Sequence, residues 1–108
     1  MDETRTISYS MIFRVLNALG SGPMTIEQLE NACMLPHNDL RAVLSSAIYR
    51  SLVTQRLDEF MITKKGARTA VYLLVLYEGM NYPKNEYREM MQTFNVVLKS
   101  PDSQAASS

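Results

Sequence analysis

Three polar residues, Asn38, Arg41 and Ser45, recur at a spacing of three and four residues, which places them on one face of a helix. An arginine guanidinium presents a planar fork of donors, and an asparagine amide offers a donor beside an acceptor. Both groups can pair with the edge of a nucleic-acid base, arginine with guanine and asparagine with adenine. His37 and Ala42 flank this face, and the alanine methyl can contact a thymine methyl. The five residues are also compatible with an ordinary solvated helix face.

Basic side chains are concentrated in the middle of the chain. Lys plus Arg and Asp plus Glu number 11 each, yet residues 41–68 carry a net charge of +4, against −3 for residues 1–40 and −1 for residues 69–108. Such a basic segment is suited to binding the phosphate groups of a nucleic acid. The candidate phosphate contacts are Thr25, Gln28, Arg50, Arg56, Lys64, Lys65 and Arg68. A solvated charged face is the plainer interpretation of the segment, and helix capping is the plainer role for Thr25.

Other chemistries have little support in the sequence. His37 is the single histidine and Cys33 the single cysteine, so neither has a second ligand of the kind that zinc requires. No glycine-rich phosphate loop, nucleophile elbow or catalytic pair of acids stands out in the sequence. We therefore expect no catalytic residue, no metal and no cofactor, and we interpret Cys33 as a small core residue.

Length and composition favour a single globular domain. The chain has 108 residues, of which 46% are apolar and 20% are charged. Its longest apolar run, residues 70–77, is far shorter than the ~20 residues that span a bilayer. Asp2 and Glu3 give the N-terminus the wrong charge for a secretory signal. These features predict a soluble, cytoplasmic protein with no membrane partner.

Apolar residues recur with a 3.6-residue period over five segments, which predicts five helices. These helices must position the candidate residues. The second begins at a Thr25–Gln28 capping box and the third at Pro36. The fourth follows a Thr63 cap and is apolar on nearly all sides, so it should be covered on more than one side, and the fifth follows Pro83. The predicted ranges are 8–19, 26–32, 36–51, 66–78 and 84–98.

The period changes between the third and fourth helices. Residues 53–57 and 60–63 predict the two strands of a small antiparallel hairpin around an Asp58–Glu59 turn. The fold class is therefore mainly α with a small β-hairpin, an α+β fold. The polar ends, residues 1–6 and residues 100–108, are expected to be frayed or disordered.

The order helix, helix, helix, hairpin, helix resembles the winged helix-turn-helix domain of bacterial and archaeal transcription regulators. The resemblance covers residues 15–66 and is carried by residues 22–29, 40–53 and 60–66, the last being similar to the wing ending of MarR and PadR regulators. It implies a winged domain over residues 7–66, whose helix 36–51 enters the major groove of double-stranded DNA while the wing region contacts the backbone.

The chain departs from this family at three places. Cys33 and Ser51 stand where the family often has glycine. The wing tip, Asp58–Glu59, is short and acidic where many wings carry a basic loop. Because acidic groups repel phosphate, the tip itself is a poor candidate for a backbone contact.

Residues 67–99 form a predicted helical extension with more apolar surface than a small winged core can cover. The resemblance implies a homodimer that pairs through such flanking helices. The predicted dimer contacts are Val71, Leu74, Val75, Tyr87, Met90, Met91, Phe94, Val97 and Leu98. The alternative is that the last helix covers the fourth within the same chain.

The sequence is thus interpreted as a non-enzymatic, sequence-specific regulator of transcription, such as a repressor, that binds double-stranded DNA. The alternative is a winged-helix protein-interaction module, an adaptor or assembly subunit, which the zero net charge and acidic tip favour. Whether the regulator activates or represses, and whether a small molecule controls it, stay open.

Overall fold

A computed structural model describes residues 7–101, and the predictions for residues 1–6 and 102–108 lie outside that range. The chain is mainly helical with a small antiparallel sheet, which confirms the α+β class. The helices are α1 (Tyr9–Leu19), α2 (Ile26–Cys33), α3 (His37–Tyr49), α4 (Lys64–Leu73) and α5 (Lys84–Lys99), and the strands are β1 (Met24–Thr25), β2 (Val53–Arg56) and β3 (Glu59–Ile62). A π-helical turn (Leu74–Glu78) and a 3₁₀ turn (Gly79–Asn81) join α4 to α5. None of the helices in this range combines the length and apolarity that crossing a bilayer requires.

Side-chain caps set where three of the helices begin, and at α1 Met11 N donates to Ser8 Oγ at 3.2 Å. At α2, Gln28 N donates to Thr25 Oγ1 at 3.3 Å and Thr25 N donates to Gln28 Oε1 at 2.9 Å, which confirms the capping box. At α4, Gly66 N donates to Thr63 Oγ1 at 2.9 Å, which confirms the Thr63 cap. Because that cap satisfies an amide of the first turn, α4 begins at Lys64, two residues before the predicted start.

The sheet has three strands in the order β1-β3-β2. The predicted antiparallel hairpin is confirmed by the pairing of β2 with β3, whereas β1 is a third strand that the sequence did not predict. β1 was missed because two residues show no periodicity. It forms because Met24 lies opposite Phe60 on β3. The predicted position of the turn, Asp58–Glu59, is wrong, because Glu59 belongs to β3 and pairs with Arg56. The turn is Leu57–Asp58, with Leu57 in the left-handed region at φ 57°.

One apolar core runs through all five helices, with α1 at its centre. Phe13 and Leu16 on α1 are fully buried. α5 closes this core through Phe94, whose ring lies 6.1 Å from the ring of Phe13 in an edge-on arrangement. The domain boundary predicted after residue 66 falls inside α4, and the core continues across it.

Three of the predicted dimer contacts are buried by their own chain. Leu74 and Phe94 have no exposed surface and Met90 is 9% exposed, because α5 packs directly on α4. This corrects the prediction that these side chains meet a partner. Five others, Val71, Tyr87, Met91, Val97 and Leu98, are half-buried against the same core. The described residues therefore favour the alternative in which α5 covers α4 within the chain.

The predicted fourth helix, 66–78, is corrected at its C-terminal end as well. The α-helix ends at Leu73, and the next five residues form a π-helical turn with a wider spacing per turn. Leu74 stays buried while Tyr72, Val75 and the two residues that follow are exposed. The described part of the chain therefore covers this run on one side, and the second cover that the sequence predicts would have to come from a partner.

Gly66 allows α4 to approach the end of α3 closely. A Cβ atom at this position would lie 2.1 Å from the Leu52 carbonyl oxygen and 3.0 Å from Ile62 Cγ1. Real Cβ atoms do not tolerate the first of these distances, so any side chain would push α4 away from the sheet. The glycine thereby sets the position of the two lysines that begin α4.

Candidate nucleic-acid interface

The α2–α3 unit presents one face of α3 to solvent. α2 ends where Met34 adopts a left-handed conformation at φ 57°, and α3 begins three residues later, behind Pro36. The inner face of α3 packs into the core through Leu40, Val43, Leu44 and Ala47, all buried. Because that face is occupied, the residues opposite it are the ones that another molecule can reach.

Three predicted base contacts lie on this outward face. Asn38, Arg41 and Ser45 are exposed and lie within α3, so the predicted common face is confirmed. They span two turns of helix, a rise of about 10 Å at 1.5 Å per residue. Ala42 is half-buried beside them, with less surface available for contact. The sequence thus predicted this surface correctly, whereas its contact with DNA stays a prediction.

His37 has a partner that the sequence did not indicate. Its Nδ1 donates to the Glu30 Oε2 atom, which ties the first turn of α3 to α2 across the connecting turn. The imidazole side chain is still 55% exposed. A pair seven residues apart, across a turn, has no periodic signal in a sequence. His37 therefore first acts as a positioning residue for α3.

Basic side chains gather where the end of α3 meets the start of α4. Thr63 Oγ1 donates to the Ser51 carbonyl oxygen at 2.7 Å, and Thr63 N donates to the Leu52 carbonyl oxygen at 3.0 Å. These bonds join the segment that follows Arg50 to the residue that precedes Lys64 and Lys65. We call the resulting group the cationic junction, and its members are Arg50, Lys64, Lys65 and Arg68.

Exposure differs among the members of the cationic junction. Arg50, Lys65 and Arg68 are exposed, whereas Lys64 is half-buried and already interacts with another group of the protein. Lys64 and Lys65 occupy the first turn of a ten-residue helix, where backbone amides add to the positive potential. The exposed members are therefore the stronger candidates for phosphate contact.

Three predicted phosphate contacts lie elsewhere. The side-chain oxygens of Thr25 and Gln28 both accept backbone hydrogen bonds in the capping box, so their role in the fold is structural. Arg56 lies near the far end of the hairpin, directly opposite Glu59, and it also has a partner within the protein. An opposing carboxylate offsets its charge. The structure does not bring these three side chains into the cationic junction.

Cys33 confirms its predicted core role. It is 4% exposed, and its Sγ donates to the Arg14 carbonyl oxygen at 3.6 Å while Arg14 Nη1 donates back to the Cys33 carbonyl at 3.3 Å. Burial raises the pKa of the thiol from 9.0 to about 11, although the Arg14 guanidinium partly opposes that rise. No group of three or more His, Cys, Asp or Glu side chains within residues 7–101 is arranged to hold a metal ion.

A thiol-specific reagent should therefore react with native Cys33 at pH 8 at least about 100-fold more slowly than with the unfolded chain. A raised folded-state pKa means that the folded state keeps its proton longer. Stability from this group is complete below pH 9 and is lost as the pH rises toward about 11. The rate of thiol modification, with and without denaturant, checks this. Equal rates would show that Cys33 is accessible and outside the core.

Comparison with protein-family models, with curated proteins and with solved structures finds no match to this chain.

Proposed function

We propose that this protein is a winged helix-turn-helix regulator of transcription that binds double-stranded DNA. The observation that carries the proposal is the exposed face of α3, with Asn38, Arg41 and Ser45 on its N-terminal turns and a buried apolar face behind them. A major groove about 12 Å wide admits one helix, whose N-terminal residues contact base edges. α3 is the second helix of a helix-turn-helix unit, which is the helix that enters the groove in such proteins.

The order of elements supports the same proposal. Three helices are followed by the β2–β3 hairpin and a further helix, in the order that the winged-helix resemblance implies. The added strand β1 joins this hairpin to the chain just ahead of α2, so the wing and the α2–α3 unit are parts of one frame. A rigid frame is what positioning a reading helix requires.

Backbone contact is assigned to the cationic junction and not to the tip of the hairpin. Leu57, Asp58 and Glu59 at the tip are all exposed, and the two carboxylates would repel phosphate. Arg50, Lys65 and Arg68 are exposed at the other end of the hairpin, where α3 ends and α4 begins. Phosphate contacts there would hold the protein in register while α3 reads bases.

A protein-interaction module is the second candidate function. It is favoured by the zero net charge, the acidic tip and the 90% exposure of both Tyr49 and Leu57, which offer apolar contacts at the end of α3 and at the tip of the hairpin. Retention on random duplex DNA or heparin as salt is raised distinguishes the two functions, because an adaptor would not be retained.

Arg41→Ala tests the proposed function, since a base contact and a phosphate contact respond differently. On a duplex selected from a random pool by the wild-type protein, we expect a loss of roughly 1–3 kcal/mol, and a much smaller loss on random duplex. Lys65→Ala should weaken both alike. Arg88→Ala removes an exposed arginine from α5 and serves as the matched control, with no change on either duplex. Titration by fluorescence anisotropy measures all four proteins.

Two outcomes would contradict the assignment. An equal loss on both duplexes would make Arg41 a phosphate contact and rotate α3 in the groove. A wild-type protein that binds neither duplex at low salt would support the interaction module.

A further inference from the structure

A surface of large apolar side chains lies on α1, α4 and the π-helical turn, elements other than α3. Five large apolar side chains there are each between 53% and 59% exposed. We call this surface the tyrosine face, and its members are Tyr9, Tyr72, Val75, Leu76 and Tyr77. Scattered single apolar residues are common on protein surfaces, but a group of this size calls for a ligand or a partner.

Ring contacts make the tyrosine face continuous across three elements. The rings of Tyr9 on α1 and Tyr77 in the π-helical turn stack with centroids 6.1 Å apart and planes within 4°. Tyr72 on α4 meets Tyr77 edge-on at 6.5 Å. Val75 and Leu76 follow Tyr72 at three and four residues, on the same side of the helix. The wider π-helical turn thus keeps Leu74 in the core while the three residues that follow it are exposed.

The tyrosine face has the composition of an interface core. No charged residue occurs between residues 69 and 77 or between residues 7 and 13. Protein interfaces are depleted of charge and enriched in tyrosine at their centre. The five side chains offer on the order of 600 Å², most of the ~800 Å² that each partner buries in a stable complex.

The segments outside the described range are unsuited to covering this surface. Residues 1–6 contain Asp2, Glu3 and Arg5 and one large apolar residue, Met1, whereas residues 102–108 contain none. A second copy of the chain is suited to it. Two-fold symmetry brings a surface against itself, and an uncharged surface meets its own copy without like-charge repulsion.

We infer that the tyrosine face is a self-association surface that pairs two copies of this chain about a two-fold axis. This surface differs from the dimer contacts predicted from the sequence. Of those predicted residues, only Val75 belongs to the tyrosine face. In a regulator that binds DNA, such a pair would present two α3 helices to one duplex, and that consequence alone depends on the proposed function.

Sedimentation without DNA tests the pairing separately from DNA binding. The wild-type protein should sediment at twice the 12.3 kDa protomer mass at micromolar concentration. Leu76→Glu should raise the dimer dissociation constant by roughly 100-fold, because each substitution places two carboxylates in the interface. Val96→Glu, an equally charged replacement of an exposed aliphatic side chain on α5 (69% exposed), is the matched control and should leave the constant unchanged.

Folding of each variant is checked by circular dichroism, and Tyr72→Ser is the second variant should Leu76→Glu fail to fold. A wild-type monomer at about 100 μM, well above the micromolar range of stable pairs, would overturn the inference and assign the face to a different partner. A dimer that Leu76→Glu and Tyr72→Ser leave intact would overturn it as well.

Discussion

Phe94→Ala is expected to lower the free energy of unfolding by about 3–5 kcal/mol. The ring is fully buried, its edge meets Phe13, and it belongs to the core that α1 centres. Removing it loses the transfer energy of a large side chain and leaves a cavity between α1 and α5. A loss of this size would establish that α5 is part of the core and not an appendage held by a partner.

Urea unfolding followed by circular dichroism measures the effect. Val96→Ala, two residues away on the same helix at 69% exposure, is the matched control and should change stability by less than about 0.5 kcal/mol. Equal, small effects from the two substitutions would contradict the packing of α5 described above.

The affinity for duplex DNA is expected to fall by roughly 10³–10⁵-fold when the salt concentration rises from about 50 to 200 mM. Arg50, Lys65 and Arg68 are exposed at the cationic junction, and Arg41 and the half-buried Lys64 add to the field. Two protomers that place about three to five cations each on phosphate would release roughly six to ten counterions. The expected log–log slope is about −5 to −9, at −0.9 for each phosphate neutralised.

Anisotropy of a labelled random duplex across a salt series gives that slope. Lys65→Ala should reduce its magnitude by about 0.9 for each phosphate that the variant no longer neutralises. Lys84→Ala, which removes an exposed lysine from α5, is the control and should leave the slope unchanged. A slope near zero would remove the cationic junction from DNA and favour the interaction module.

The sequence predicted most of the helical frame because its signals are local. The capping box at Thr25 and the cap at Thr63 place oxygens within three residues of the amides they satisfy, and apolar residues on α3 recur with the helical period. The exposed face of α3 follows from the same period. None of these signals depends on what lies elsewhere in the chain.

The features that sequence reasoning missed depend on contacts between distant residues. β1 exists because Met24 meets Phe60, and the hairpin turn shifts by one residue because Glu59 pairs with Arg56. The apolar residues of α5 predicted a dimer contact at Phe94. That prediction is wrong because the side chain is buried in the core of its own chain. An apolar stripe shows that a surface is buried, but it does not show whether the chain or a partner buries it.

The tyrosine face was hidden for a related reason. In a regular α-helix over residues 66–78, each side chain would follow the previous one by the same rotation about the helix axis. The π-helical turn that begins at Leu74 changes this rotation, so helical periodicity does not predict on which side Leu74 and Tyr77 lie. Tyr9 joins the face only through a stacking contact with Tyr77, 68 positions along the chain. No periodic pattern links residues so far apart.

Amide chemical shifts during a titration with duplex DNA test the central proposal most directly. Isotope-labelled protein and an unlabelled random duplex at low salt require no knowledge of the operator. The proposed function predicts shifts at Asn38, Arg41 and Ser45 on α3 and at Arg50 and Lys65 in the cationic junction, with Leu76 unaffected. No shifts at saturating duplex, or shifts confined to surfaces that exclude α3, would contradict it.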